Sequence, residues 1–144
     1  MELQSQDSYV GTCFCGSVKI SVIGMPRSVV NCHCGQCRRL SGAAFTTWAS
    51  YRREAVVVTG SAAMAEFKPT SNVRRFFCKT CGTHVYTADS RYPTVFGLPA
   101  GTLEGAALPA PNREFFVSHK ASWYTLAGEV PRFGGESGAE TIDA

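Results

Sequence analysis

The sequence predicts a mainly β, single-domain fold with one or two short helical turns. Three observations predict it. Apolar residues alternate over short runs, as with Val18, Ile20 and Val22 against Lys19 and Ser21, which places one face of a strand in a core. Turn residues punctuate the chain at short intervals, among them Gly24, Pro26, Gly60, Pro69 and Gly82. No segment sustains a 3.6-residue apolar period, and there is no internal repeat.

In chain order, the flexible start is expected over residues 1–8, with Met1–Asp7 frayed. Ser8–Thr12 leads into the first cysteine pair. Ser17–Ile23 reads as a half-buried strand ending at Gly24, and Val29 and Val30 form a short strand. Gly35–Leu40 can form one or two helical turns that stop near Ser41-Gly42. Further strands are expected at Ala44–Ser50, Glu54–Thr59, Met64–Lys68, Asn72–Phe77, His84–Thr87 and Thr94–Leu98. From Gly97 the chain is rich in Gly, Ala and Pro and reads as a long loop. Phe115, Phe116, Val117, Trp123 and Tyr124 then need a core. The domain is expected over 9–133, with a mobile tail over 134–144, because that tail has few apolar residues.

The 144 residues suffice for one core, and the net charge of +3 without a Lys/Arg run argues against a nucleic-acid partner. The N-terminus, MELQSQDSYV, lacks an apolar signal region. No stretch approaches the roughly 20 apolar residues of a membrane span. The expected compartment is a reducing cytosol, hence a cytoplasmic protein.

Against that background, seven cysteines are informative. An odd count without an export signal argues against a disulfide framework. They fall in three tight groups: Cys13-x-Cys15, Cys32-x-Cys34-x2-Cys37 and Cys78-x2-Cys81. In a strand, residues i and i+2 point to one side, so Cys13 and Cys15 can aim at one point. Cys78 and Cys81 form a ligand knuckle, with Gly82 able to take positive φ. Joined, these four make a closed tetrahedral thiolate site suited to zinc; an iron–sulfur or redox site is the rival. Cys32, Cys34 and Cys37 then remain as three converging ligands with one corner free, the pattern of a catalytic zinc. A short helix from Gly35 would direct amide N–H groups at the sulfurs, and Arg38 is the nearest cation. Other groupings remain open on spacing alone. So do a fourth ligand from His33, His84 or His119 and a metal-free reactive thiol cluster. His33, between two ligands, points to the opposite strand face. His84 is expected beside the closed site, and His119 on a late strand.

The residues also carry a resemblance. Gly11-Thr12-Cys13-Phe14-Cys15-Gly16, then Cys32-His33-Cys34-x2-Cys37-Arg38 with Ser41-Gly42, then Phe77-Cys78-x2-Cys81-Gly82-Thr83 resemble the glutathione-dependent formaldehyde-activating enzyme (GFA) family, also called the centromere protein V family. Lys120-Ala121-Ser122-Trp123 and Pro131-Arg132-Phe133 resemble its closing segment. The resemblance implies a zinc-binding β-tent of curved antiparallel sheets. It also implies a structural zinc on Cys13, Cys15, Cys78 and Cys81, and a second on Cys32, Cys34 and Cys37, which makes two Zn2+ per chain, the second labile. The implied activity is that of a carbon–sulfur lyase joining formaldehyde and glutathione.

On that basis Cys32, Cys34, Cys37 and Arg38 are the expected catalytic set, and a small thiol and a small aldehyde the partners. Phe45, Trp48, Phe96 and Trp123 are available as pocket walls, with core packing the simpler role for each. Two other classes stay open: a non-catalytic zinc-binding module, and a thiol redox or zinc-buffering protein.

Overall fold

The computed structural model describes residues 8–105 and 107–142. The frayed start expected over Met1–Asp7 lies outside the described residues. In chain order the elements are β1 (Ser8–Thr12), β2 (Lys19–Ile23), β3 (Ser28–Cys32), helix α1 (Gly35–Ser41), β4 (Thr46–Arg52), β5 (Val56–Thr59), β6 (Met64–Phe67) and β7 (Val73–Cys78). There follow β8 (His84–Asp89), β9 (Val95–Pro99), β10 (Leu103–Gly105), β11 (Arg113–Phe115), β12 (Phe133–Gly134) and β13 (Glu140–Thr141). The fold is mainly β, as the alternation predicts. The chain gathers into two compact units. Among the described residues, one holds those up to Arg27 with those of Ala49–Leu108; the other holds Ser28–Trp48 with those from Pro109 onward.

In the first unit, four strands pair in the order β10-β1-β2-β5, all antiparallel. β1 and β2 alternate exposed and buried residues along their length. The buried set, with Tyr9, Ile20 and Val22, packs with Tyr51, Val85 and Leu98. Each such buried apolar side chain contributes about 1.5–3 kcal/mol. β6 to β9 form an antiparallel meander. Phe76, Tyr86 and Phe96 stack across β7, β8 and β9 at 4.5 and 4.6 Å between centroids. Arg74 and Arg53 lie over the two outer rings, each 5.0 Å from a centroid. Phe96 therefore has a structural place in this stack, between Tyr86 and Arg53. The long loop expected from Gly97 is interrupted by β10, which pairs with β1 through Gly11↔Leu103. A three-residue strand has no alternation to read; its partner strand specifies it.

In the second unit, β11 runs parallel to β3, with Arg113↔Val30, Glu114↔Asn31 and Phe115↔Cys32 in register. Cys34 is the N-cap of α1, and Gly42 closes the helix at φ 69° with its N–H on the Arg38 carbonyl, a left-handed cap that glycine takes without steric cost. Val30, Cys37 and Trp48 form the core, with Phe115 against it. Trp48 thus serves packing. His119, expected on a late strand, sits in a single 3-10 turn, Val117–His119, and is exposed. Where a mobile tail is expected, β12 and β13 pair as a small hairpin, Phe133↔Thr141 and Gly134↔Glu140. Contacts with the rest of the unit anchor it: the Phe133 ring lies 5.4 Å from Phe115, Phe116 N donates to the Gly138 carbonyl at 3.0 Å, and Gly135 N donates to Ser118 Oγ at 2.9 Å. One aromatic anchor and backbone pairing replace the apolar density that the tail lacks.

Candidate metal centres

The first cysteine pair lies in the turn between β1 and β2, where Gly16 N donates to Cys13 O and Cys13 N to Val18 O, both at 3.0 Å. The pair converges through that turn rather than through the strand alternation expected for it. Cys78 ends β7, and the knuckle closes with Gly82 N on Cys78 O at 2.7 Å, Gly82 standing at φ 81° as its spacing predicts. The four sulfurs of Cys13, Cys15, Cys78 and Cys81 lie within 4.8 Å of one another. Cys15 Sγ is 3.6 Å from Cys13 Sγ and 3.7 Å from Cys78 Sγ. Zn–S bonds of about 2.3 Å give a tetrahedron with edges of about 3.8 Å, so the donor set and its spacing fit zinc. Thr83 beside Cys81 holds that thiol down at about 5, and Ser17 lowers Cys15. His84 bonds Thr87 Oγ1 at 3.0 Å and stands outside the sulfur set.

The second centre is assembled from one short run. Cys32 ends β3, Cys34 caps α1 and buried Cys37 lies in its first turn. Their three sulfurs also lie within 4.8 Å of one another. The Cys37 amide donates to Cys34 Sγ at 3.2 Å, the helix-start contact expected from the sequence. The adjoining Cys34 and Cys37 thiols, with burial, push Cys32 far up. Cys32 draws Cys34 down, but Cys37 and burial raise it on balance. Three neighbouring thiols, Cys37 buried and Cys32 and Cys34 half-buried, resist joint ionisation, and a divalent cation removes that resistance. The trio therefore also fits a metal, with one ligand fewer. Among the described residues, neither sulfur set includes a histidine or a carboxylate.

Arg38 is half-buried, and its Nη2 stands 4.0 Å from where a Gly35 side chain would begin. The guanidinium thus folds back toward the start of α1, the end that carries Cys34. Phe45 packs on His33, with ring centroids 5.0 Å apart. Trp123 is 72% exposed.

One set of residues here escapes sequence reasoning. Glu114, only 6% exposed, accepts from Asn31 Nδ2 at 2.8 Å and from His33 Nε2 at 2.6 Å. Thr47 Oγ1 donates to Asn31 Oδ1 at 2.6 Å. His33 is fully buried, with its backbone N–H on the Phe115 carbonyl at 2.9 Å. The available signal was a lone acid directly before the apolar run Phe115-Phe116-Val117, where a charge needs a partner.

A mainly β chain with one closed set of four cysteines and one open set of three defines a class: β proteins built around two thiolate clusters able to hold metal ions. The sequence pattern of the glutathione-dependent formaldehyde-activating enzyme family matches residues 8–119. The chain belongs to that family. A Schizosaccharomyces pombe protein described as an uncharacterized lyase is 22% identical over 125 residues, covering 87% of this chain and 90% of the relative. A Halomonas elongata protein, provisionally named a glutathione-dependent formaldehyde-activating enzyme, is 25% identical over 124 residues, covering 81% and 79%. A crystal structure of a Rhodobacter sphaeroides protein superposes with a TM-score of 0.57 at 26% identity, covering 68% of this chain and 90% of that one. No helix among the described residues is long and apolar enough to cross a membrane.

Proposed function

We propose that this chain is a zinc-dependent carbon–sulfur lyase that adds a thiol such as glutathione to formaldehyde or another small aldehyde, and catalyses the reverse. One observation carries the reading: Cys32, Cys34 and Cys37 bring three sulfurs together with no fourth protein ligand among the described residues, whereas the other centre has four. Family membership and the names of the two relatives support the reaction class.

Cys13, Cys15, Cys78 and Cys81 would hold the structural zinc, and Cys32, Cys34 and Cys37 the second. A zinc held by three thiolates supplies a Lewis-acidic corner where a coordinating thiol loses its proton near neutral pH. In the addition, the substrate sulfur forms a bond to the carbonyl carbon. The C=O π pair moves to oxygen, and the proton lost by the thiol ends on that oxygen. Cys37 N–H on Cys34 Sγ orients one ligand. Arg38, on the same helix, is the cation available to an oxygen gaining charge.

The test is loss of free formaldehyde in the presence of glutathione, followed with protein carrying two zincs per chain. Acceleration that disappears in Cys34→Ser is the expected result. Two bound zincs with no acceleration across several thiols and aldehydes would point instead to a binding module. A metal-free glutathione adduct on Cys34 or Cys37, seen by mass spectrometry, would point to redox chemistry.

A further inference from the structure

We infer that Glu114 is a positioning residue for the open centre, gripping Asn31 and His33 so that Cys32 and Cys34 present their sulfurs on the opposite face. The inference rests on the reading that the cysteine trio holds a metal.

The geometry is that of one clamp on two alternate residues. Asn31 and His33 flank Cys32 in sequence. Each bonds a different oxygen of the same carboxylate, at 2.8 and 2.6 Å. In extended chain, residues i and i+2 share a face, and the residue between them takes the other. Fixing 31 and 33 on the Glu114 side therefore fixes Cys32, and Cys34 after it, on the far side. The parallel register Glu114↔Asn31 sets the clamp in place, and the His33 amide on Phe115 O secures the same stretch of backbone. Thr47 orients the Asn31 amide: with Oδ1 taken by the hydroxyl, Nδ2 is left to face the carboxylate. A carboxylate only accepts, so His33 Nε2 carries the proton in this pairing. Phe45 and Tyr124 pack around the His33 ring, with centroids 5.0 and 6.1 Å away.

Energetics point the same way. Burying a carboxylate carries a desolvation cost, and well-packed apolar residues commonly do as well or better for stability. A buried acid that bonds both neighbours of a ligand cysteine is explained by geometry rather than by stability. Outer residues that orient metal ligands typically change metal affinity by about 10–100-fold.

The experiment is competitive zinc titration of the full chain against a chromogenic chelator, with Cys34→Ser assigning the open-centre phase and thermal melts run alongside. Wild type is expected to bind two zincs in two phases. Glu114→Ala should weaken the open-centre phase about 10–100-fold and leave the closed phase unchanged. Glu114→Gln should recover most of that loss. Its amide oxygen can accept from His33 and its NH2 can donate to Asn31 Oδ1 once the Asn31 amide turns over, with Thr47 then accepting. Thr47→Val should cost a few-fold at the open centre alone. An unchanged open phase in Glu114→Ala, or a Gln variant no better than Ala, overturns the positioning role. If Glu114→Ala does not fold, Thr47→Val decides, and an unchanged open phase there overturns it too. A wild type that binds one zinc, at the closed centre only, overturns the metal reading of the trio itself and is distinguishable from either result.

Discussion

The two centres should differ in what they contribute to stability, and the difference can be worked from sequence separation. Cys15 and Cys78 are 63 residues apart, yet their sulfurs lie 3.7 Å from one another. A metal bridging them closes a long loop. The chain-entropy relation used for cross-links gives about 4 kcal/mol for a loop of that length. For a chain of this size, about 1 kcal/mol moves the melting temperature by about 2–4 °C, so losing the bridge should lower it by about 8–16 °C. Cys15 suits the test because it is exposed, and Cys15→Ser removes a ligand with little packing lost. At the open centre the three ligands span six residues, Cys32 to Cys37. They stay close in the unfolded chain, which therefore keeps affinity for the metal and cancels part of its stabilising effect. Serine is also a favoured N-cap, so Cys34→Ser preserves the helix start that Cys34 provides. It should cost within about 1 kcal/mol. The assay is circular-dichroism melting of zinc-loaded wild type, Cys15→Ser and Cys34→Ser, with bound zinc counted in each. Equal destabilisation by the two variants would refute the reasoning, as would a zinc-free Cys15→Ser that melts with wild type.

Two other outcomes follow from single side chains. Burial, then the nearby Tyr9, pushes the Tyr51 phenol up to about 12, against about 10 in an unfolded chain. The folded state thus favours the protonated form. That contribution is fully present below about pH 10 and is lost as pH rises toward 12. Melting temperature from pH 9 to 12 should fall more steeply in wild type than in Tyr51→Phe, which also removes a buried hydroxyl with no partner among the described residues. At the open centre, Arg38→Ala should lower turnover by about 100-fold with both zincs retained, and Arg38→Lys should fall between. Unchanged turnover in Arg38→Ala would remove Arg38 from the mechanism.

Much of this organisation was legible because it is local. Val18, Ile20 and Val22 state their own strand. Cys34–Gly42 carries its own cap at each end, and the cysteine spacings mark three ligand groups, which the family resemblance divides into the two sulfur sets. What could not be read depends on partners far along the chain. β10 has three residues and exists as a strand because β1 accepts it. The tail hairpin forms because Phe133 meets Phe115, a pairing that low apolar content conceals. Glu114 is 83 residues from Asn31, and only the parallel register of β11 with β3 turns that separation into a contact. Sequence alternation correctly turned His33 away from the cysteines, but the residue it meets there depends on that register.

The clamp and the closed centre make opposite demands on the fold. Four cysteines in the first unit join distant segments, so a metal there adds loop-closure stability. In the second unit the local trio gains little of that kind, and beside it stands a buried carboxylate whose desolvation cost must be offset by Asn31 and His33. A chain selected for stability alone would have reason to replace Glu114 with an apolar residue that packs well in its buried site. A hydrophobic substitution there that keeps or raises the melting temperature while weakening the open centre would show the trade directly: rigidity of three sulfurs held at the expense of core stability. That pairing of effects separates a positioning acid from a merely structural one, which would lose both together.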